Sequence, residues 1–226
     1  MSESWLAIET SGRTGFVALS GESIYVHELS ESRRHARDLT AKISEVCSDA
    51  GVAVRELTGV IVSQGPGSYT GLRVGITAAK LLAYATGCRF VAVPTFHVIA
   101  AQAIGEGGSI DVIADAQQRR VYHQRFRRAS DQVVPASDLS IRPLEELIRD
   151  RQVESFTGPA LDVYGEEVAT AAPLADEAPW HPSPAYLLEV GVRISKSEPE
   201  VDWWATEPLY LRGSYAEEQA KVPRTG

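Results

Sequence analysis

The segment Ser63-Gln64-Gly65-Pro66-Gly67-Ser68-Tyr69-Thr70-Gly71-Leu72-Arg73-Val74-Gly75 constrains this chain more than any other. It leaves an apolar run, Gly59-Val60-Ile61-Val62, turns through glycine and proline, and continues as a helical pattern that Gly87 closes. A glycine-rich turn between a strand and a helix presents unpaired backbone N–H groups at the positive end of the helix dipole, which suits phosphate. Beyond the turn, Gly71, Gly75, Ala79 and Ala83 recur at intervals of four, leaving one helical face almost bare of side chains. Such a face lets another backbone approach closely. The segment therefore has three uses open to it: holding a ligand, holding a partner, or packing tightly on its own sheet.

Several chemistries are excluded by spacing. The P-loop pattern needs a lysine after its last loop glycine, and this chain has Gly71-Leu72-Arg73 there. The pattern G-x-S-x-G does not fit around Ser68, so a serine-hydrolase elbow is not supported. His27, His35, His97, His123 and His181 include no pair three or four residues apart, which removes the helical histidine metal motifs. No catalytic residue and no metal ligand is assigned.

Read in order, Trp5–Ile8, Gly15–Leu19 and Ile24–Leu29 form a three-stranded meander, with Glu9-Thr10-Ser11-Gly12 as a polar turn after the first strand. Ala36, Leu39, Ile43, Val46 and Cys47 lie at helical spacing, with Ser32 as N-cap and Gly51 as terminator. The strand before the glycine turn and the strand Arg89–Val93 are joined through a helix and so pair in parallel. A short helix then runs from Pro94 to Ala103. Gly105-Glu106-Gly107-Gly108 is the linker, dividing the chain into residues 1–104 and 105–226. The second part repeats the first in outline: a strand ending in Asp115, a hairpin, a helix from Pro143, and a strand ending at Gly158. Two acids ending equivalent strands of similar lobes would face each other across a cleft, an arrangement that can hold a hydrated magnesium beneath a nucleotide; the alternative is that Glu9 and Asp115 cap turns or pair with basic neighbours. The remainder, through Pro179-Trp180-His181-Pro182 and Trp203-Trp204, is a Pro- and Trp-rich tail that packs back over a domain.

Composition narrows the class. With 226 residues, 44% of them hydrophobic, the chain can bury a substantial core. A net charge of -8 disfavours broad nucleic-acid binding, which depends on cationic neutralisation of phosphates. Two local basic clusters, Arg33-Arg34-His35-Ala36-Arg37 and Gln117-Gln118-Arg119-Arg120 with Arg125, Arg127 and Arg128, are read as solvated faces or partner patches. Cys47 and Cys88 have no metal or disulfide spacing and read as buried thiols. No apolar run approaches the roughly 20 residues that span a bilayer. The beginning lacks the pattern of an export signal, so no membrane association and a cytoplasmic location are expected.

The motifs also resemble a known family. Ala7-Ile8-Glu9-Thr10-Ser11, Arg34-His35 before Leu39, the Gly65–Gly75 stretch, Val93-Pro94-Thr95, Ala114-Asp115-Ala116 with Val121-Tyr122, and Tyr210-Leu211-Arg212 look like the bacterial TsaB (YeaZ) family. The resemblance covers nearly the whole chain in the same order. It implies an α/β, two-lobed, actin-like ATPase fold of duplicated βββαβα units. It also implies a non-catalytic role in making N6-threonylcarbamoyladenosine at tRNA position 37, in a complex with a TsaD paralogue and the ATPase TsaE. The chain would homodimerise in isolation and meet tRNA only through the complex. The catalytic paralogue carries an H-x-x-x-H motif where this chain has Thr95 and Ile99, which favours the scaffold over the catalyst.

The same resemblance assigns the first two helices to the partner surface: Ala36, Leu39, Ile43 and Val46 beside Gly67, Gly71, Arg73, Gly75, Ile76, Ala79 and Ala83. No cofactor is required on this reading; weak ATP or ADP binding with magnesium is left to Glu9, Thr10, Ser11 and Asp115. The first strand of the family more often ends in Asp than in Glu. The alternative is an active metal-dependent, glycoprotease-like peptidase or an ATP-using phosphotransferase on the same fold.

Overall fold

The structure is a computed structural model that describes residues 3–29, 35–106, 108–150, 152–175, 179–197 and 202–211. Ser32, Arg33, Arg34, Gly107 and Arg212 lie outside the described residues, as do the side chains of His35 and Ala36.

The first sheet contains β1 (Trp5–Glu9), β2 (Gly15–Ser20), β3 (Ile24–Leu29), β4 (Gly59–Gly65) and β5 (Arg89–Pro94), in the order β3-β2-β1-β4-β5. The meander is antiparallel, and β4 pairs in parallel with both β1 and β5, as the helical crossover requires. The second sheet is built from β6 (Ser109–Asp115), β7 (Arg120–Ala129), β8 (Gln132–Pro135), β9 (Ser140–Pro143) and β10 (Phe156–Thr157). Its order β10-β6-β7-β8 matches β4-β1-β2-β3 of the first sheet in sequence and pairing, with β9 added on β7. The two-lobed architecture with a duplicated βββαβα outline, expected from the sequence, is the observed one.

Both faces of each sheet are covered. On β1, Leu6 and Ile8 face α1 (His35–Asp49) and α2 (Tyr69–Thr86), while Trp5 and Ala7 face a central layer containing α3 (Thr95–Ala103) and α6 (Pro184–Ser197). The second sheet closes the other side of this layer through Ile110, Val112 and Phe126, and its far face buries α4 (Leu144–Ile148) and α5 (Leu161–Val168). Alternation with both faces buried explains why β1 reads as a continuous apolar run. The two glycine-ended strands also match. Gly65 and Gly158 have φ of 102° and 112°, in the left-handed region that glycine enters without a Cβ penalty.

Three elements depart from the sequence reading. The second lobe has α5 and β9, neither of them expected, and the tail contains α6, which returns to the first sheet and packs on β1, β2, β4 and β5. The boundary at 104/105 thus separates the sheets but not the layers. Gly191 of α6 lies over Ile61, whose Cγ2 would be 2.5 Å from a Cβ placed there, so the helix rests almost directly on the sheet.

The small-residue strip of α2 faces inward. A Cβ at Gly71 would collide with the Thr10 carbonyl oxygen, one at Gly75 with the Thr10 hydroxyl, and one at Gly67 with the Ser11 carbonyl oxygen. Ile76, Ala79 and Ala83 are buried in the same core as Leu39, Ile43 and Val46 of α1. Their assignment to a partner surface is therefore corrected: the chain's own sheet takes up both stripes, because the turn after β1 crosses α2 at backbone contact. Among the described side chains of that set, Arg73 is exposed, and Gly67 lines the cleft. Replacing Gly71→Ala gains about 1 kcal/mol of helix propensity but forces α2 off Thr10. Chemical denaturation should show a net loss of about 2 kcal/mol or more.

Candidate functional site

Between the two sheets lies a cleft of about 800 Å³, within the range of small-molecule sites. Equivalent chain segments of the two lobes form its floor: Ser11–Arg13 after β1 and Pro66–Tyr69 after β4, opposite Ala114–Gln117 at the end of β6 and Pro159 after β10. The duplication thus produces the cleft. Strands of two similar lobes end at one place, and their turns meet there.

The glycine turn is held from behind. Ser68 N–H donates to the Ser11 carbonyl at 2.7 Å and Gly65 N–H to Thr95 Oγ1 at 3.1 Å. Ser68 also caps α2, its Oγ accepting from Gly71 N–H at 3.2 Å. Part of the donor set that made the turn look like a phosphate cradle is used to fasten the turn to β1 and α3. What reaches the cleft is the start of α2, with the Tyr69 ring at its edge.

The four nucleotide candidates do not converge. Ser11 and Asp115 line the cleft, whereas Glu9 and Thr10 do not. Glu9 is buried, with one oxygen accepting from Ser11 N–H at 2.5 Å and the other from the Ser63 hydroxyl. Burial raises its pKa above the ordinary carboxylate range, against the pull of these donors. Thr10 Oγ1 is buried over Gly75 without a hydrogen-bond partner. Asp115 is exposed, and its Oδ1 accepts from Gln117 N–H at 2.8 Å and Tyr164 OH at 3.3 Å. The expected pair of facing acids is corrected: Glu9 turns back into the first lobe because Ser11 and Ser63 satisfy it there. These residues do not fit a magnesium held between the lobes by two carboxylates.

Other residues shape the cleft. Gln117, Gln118 and Arg119 have φ of 63°, 55° and 55°, a run of three left-handed residues without glycine. Such backbone costs of the order of 1–3 kcal/mol per residue and persists only where its surroundings hold it. Arg119 supplies the fixing, reaching Glu145 of α4 at 2.5 Å and Glu167 of α5 at 2.7 Å. Three arginines of the basic cluster, Arg119, Arg125 and Arg128, are thus used in ties within the chain. Arg125 holds buried Asp111 together with His123, and Arg128 donates to the carbonyls of Ile104 and Gly105. On the far rim, His181 pairs with Asp162 of α5 at 2.8 Å. Gln102 of α3 clamps that rim by donating to the carbonyls of Pro179 and His181 and accepting from Ser183 N–H.

The last wall comes from the tail, where Leu209 and Tyr210 line the cleft beside Tyr69. The Tyr210 ring stacks on Tyr69 at 4.8 Å, and Arg73 lies over both rings while its Nε donates to Tyr210 OH at 3.0 Å. Sequence reasoning singled out Tyr69, Arg73 and Tyr210 within motifs but had no signal that they meet.

Because Glu9 holds a proton more tightly when folded than when unfolded, the folded chain loses stability as pH rises from the ordinary carboxylate range through the raised value. Glu9→Gln, which keeps an acceptor for Ser11, should flatten that slope. Melting temperatures measured across mildly acidic to neutral pH will check this: the two proteins converge at low pH, and wild type falls relative to the variant as pH rises.

Comparisons with known proteins agree with this geometry. A family model described as "TsaD: tRNA N6-adenosine threonylcarbamoyltransferase" matches residues 28–173. The Bacillus subtilis protein named "tRNA threonylcarbamoyladenosine biosynthesis protein TsaB" is 30% identical over 223 residues, covering 94% of this chain and 95% of its own. The Escherichia coli protein of the same name is 23% identical over 93% of this chain and 95% of its own. The solved structure "YeaZ from Pseudomonas aeruginosa" superposes with a TM-score of 0.78 at 24% identity, over 93% of this chain and all of that one, and so shares the fold. With a relative at this identity along nearly its whole length, and a YeaZ fold with its interlobe cleft, the chain belongs to the TsaB (YeaZ) family.

Proposed function

We propose that this chain is the non-catalytic subunit that binds and supports a TsaD-family transferase, together with a TsaE-like ATPase, in forming N6-threonylcarbamoyladenosine at tRNA position 37. The names of its relatives supply the pathway. The non-catalytic part rests on one observation: the two positions where the resemblance puts the transferase's metal histidines are built into this chain's interior. Thr95 is buried with its hydroxyl bonded to Gly65 N–H, and Ile99 is fully buried in the core. Neither side chain is free to hold a metal. The inward-turned Glu9 supports the same reading, since it removes an acid from the cleft.

The partner then meets the outer face of α2, because the inner face belongs to the sheet. On that outer face Leu81 is 59% exposed and Tyr84 71% exposed, one turn apart on the helix. Two large apolar side chains standing in solvent near one another are a docking feature more than a folding one. In a reconstituted assay with cognate TsaD, TsaE and tRNA, omitting this chain should abolish the modified nucleoside. Leu81→Asp with Tyr84→Asp should leave the melting temperature nearly unchanged and weaken co-purification with TsaD by about tenfold or more. Full modification without the chain would refute the role, and unimpaired binding by the double variant would refute the face.

A further inference from the structure

Residues 202–211 leave the second half of the chain and lie along the outer side of α2. At one end, the 3-10 turn Trp203–Ala205 sets the half-buried Trp203 ring 6.3 Å from that of Phe90, and Lys80 Nζ donates to the Trp204 carbonyl at 2.7 Å. Trp204 itself is 58% exposed and meets Tyr84 edge-on at 5.8 Å. Midway, Gln64 Nε2 donates to the Glu207 carbonyl at 2.8 Å, and Leu209 N–H donates back to the Gln64 carbonyl at 2.9 Å. At the other end, Tyr210 is stacked on Tyr69 and bonded to Arg73.

These contacts span α2 from its first turn to its last, and they are of a kind that exchanges readily. The hydrogen bonds lie at the surface, where each contributes about 0.5–1.5 kcal/mol net. Exposed cation–π contacts add about 0.5–1 kcal/mol. Apart from one 3-10 turn, the segment has no regular structure of its own. Trp203 is its one half-buried aromatic anchor. By contrast, the inner face of α2 is fixed by backbone contact with Thr10 and Ser11.

We infer that residues 202–211 form a displaceable cover: in the isolated chain they occupy the outer face of α2, and a TsaD-family partner docks as they are moved off it. This rests on the docking reading above and adds its regulation. The cover also reaches the cleft. Leu209 and Tyr210 form part of its wall, so displacing the segment from α2 opens the cavity on that side. Partner docking and access to the cleft are thus linked through one segment.

A chain lacking residues 202–226 carries no cover, so the fraction of molecules competent to bind rises and the apparent Kd for the TsaD-family partner falls by about threefold or more. A control lacking only residues 212–226 should bind as the full chain does. Tyr210→Ala keeps the Trp203 anchor, should shift affinity in the same direction, and decides the matter if the shorter chain does not fold. Equal or weaker binding after removal of the cover, or an equal gain in the control, overturns the proposal while leaving the docking reading intact. No binding by the full chain, the truncation and the control alike overturns both.

Discussion

Everything in the first lobe depends on the crossing of the Thr10–Ser11 backbone over α2. Three glycines, Gly67, Gly71 and Gly75, exist at that crossing because a Cβ at any of them would enter Thr10 or Ser11. The crossing puts the start of α2 at the mouth of the cleft, ties the glycine turn to β1 through Ser68 and Ser11, and leaves Thr10 Oγ1 buried without a partner. An unpaired buried hydroxyl costs roughly 1–3 kcal/mol. The fold tolerates that cost where close helix–sheet packing is gained.

The same constraint divides α2 into two faces with different uses. Its inner strip joins Leu39, Val46 and Val62 in one core, where each large apolar side chain contributes about 1.5–3 kcal/mol by leaving water. Its outer face carries Arg73, Leu81 and Tyr84 and is partly overlaid by residues 202–211. The cleft shows a similar division. It keeps the shape that two duplicated lobes create, while the acid of its first lobe is withdrawn into the interior.

Much of this was legible in the sequence because it rests on local signals. The strands of the first sheet and the ends of α2, capped by Ser68 and by Gly87 at a φ of 72°, follow from apolar runs and turn residues. The duplication followed from two strands ending in acids and two ending in glycine. What was misread depends on contacts distant in sequence. The small-residue strip announces a close approach, but spacing does not say to what, and the answer lies in the hydroxyl and carbonyl of Thr10. Glu9 ends its strand as an acid should, yet Ser63, 54 residues later, draws it inward. The Arg73–Tyr210 bond joins residues 137 apart. Pro184 in the first turn of α6 was a usable helix signal, hidden by its place in a Pro- and Trp-rich segment.

Hydrogen–deuterium exchange on the isolated chain and on its complex with a cognate TsaD-family protein addresses the two-faced helix most directly. The amides of residues 72–79, the helix-bonded part of the first half of α2, should be strongly and equally protected in both states, since the chain's own sheet holds that stretch, while the amide of Leu209 loses protection in the complex as its bond to Gln64 opens. Amides of residues 72–79 that exchange freely alone and become protected only in the complex would contradict the account, because the inner strip would then belong to the partner.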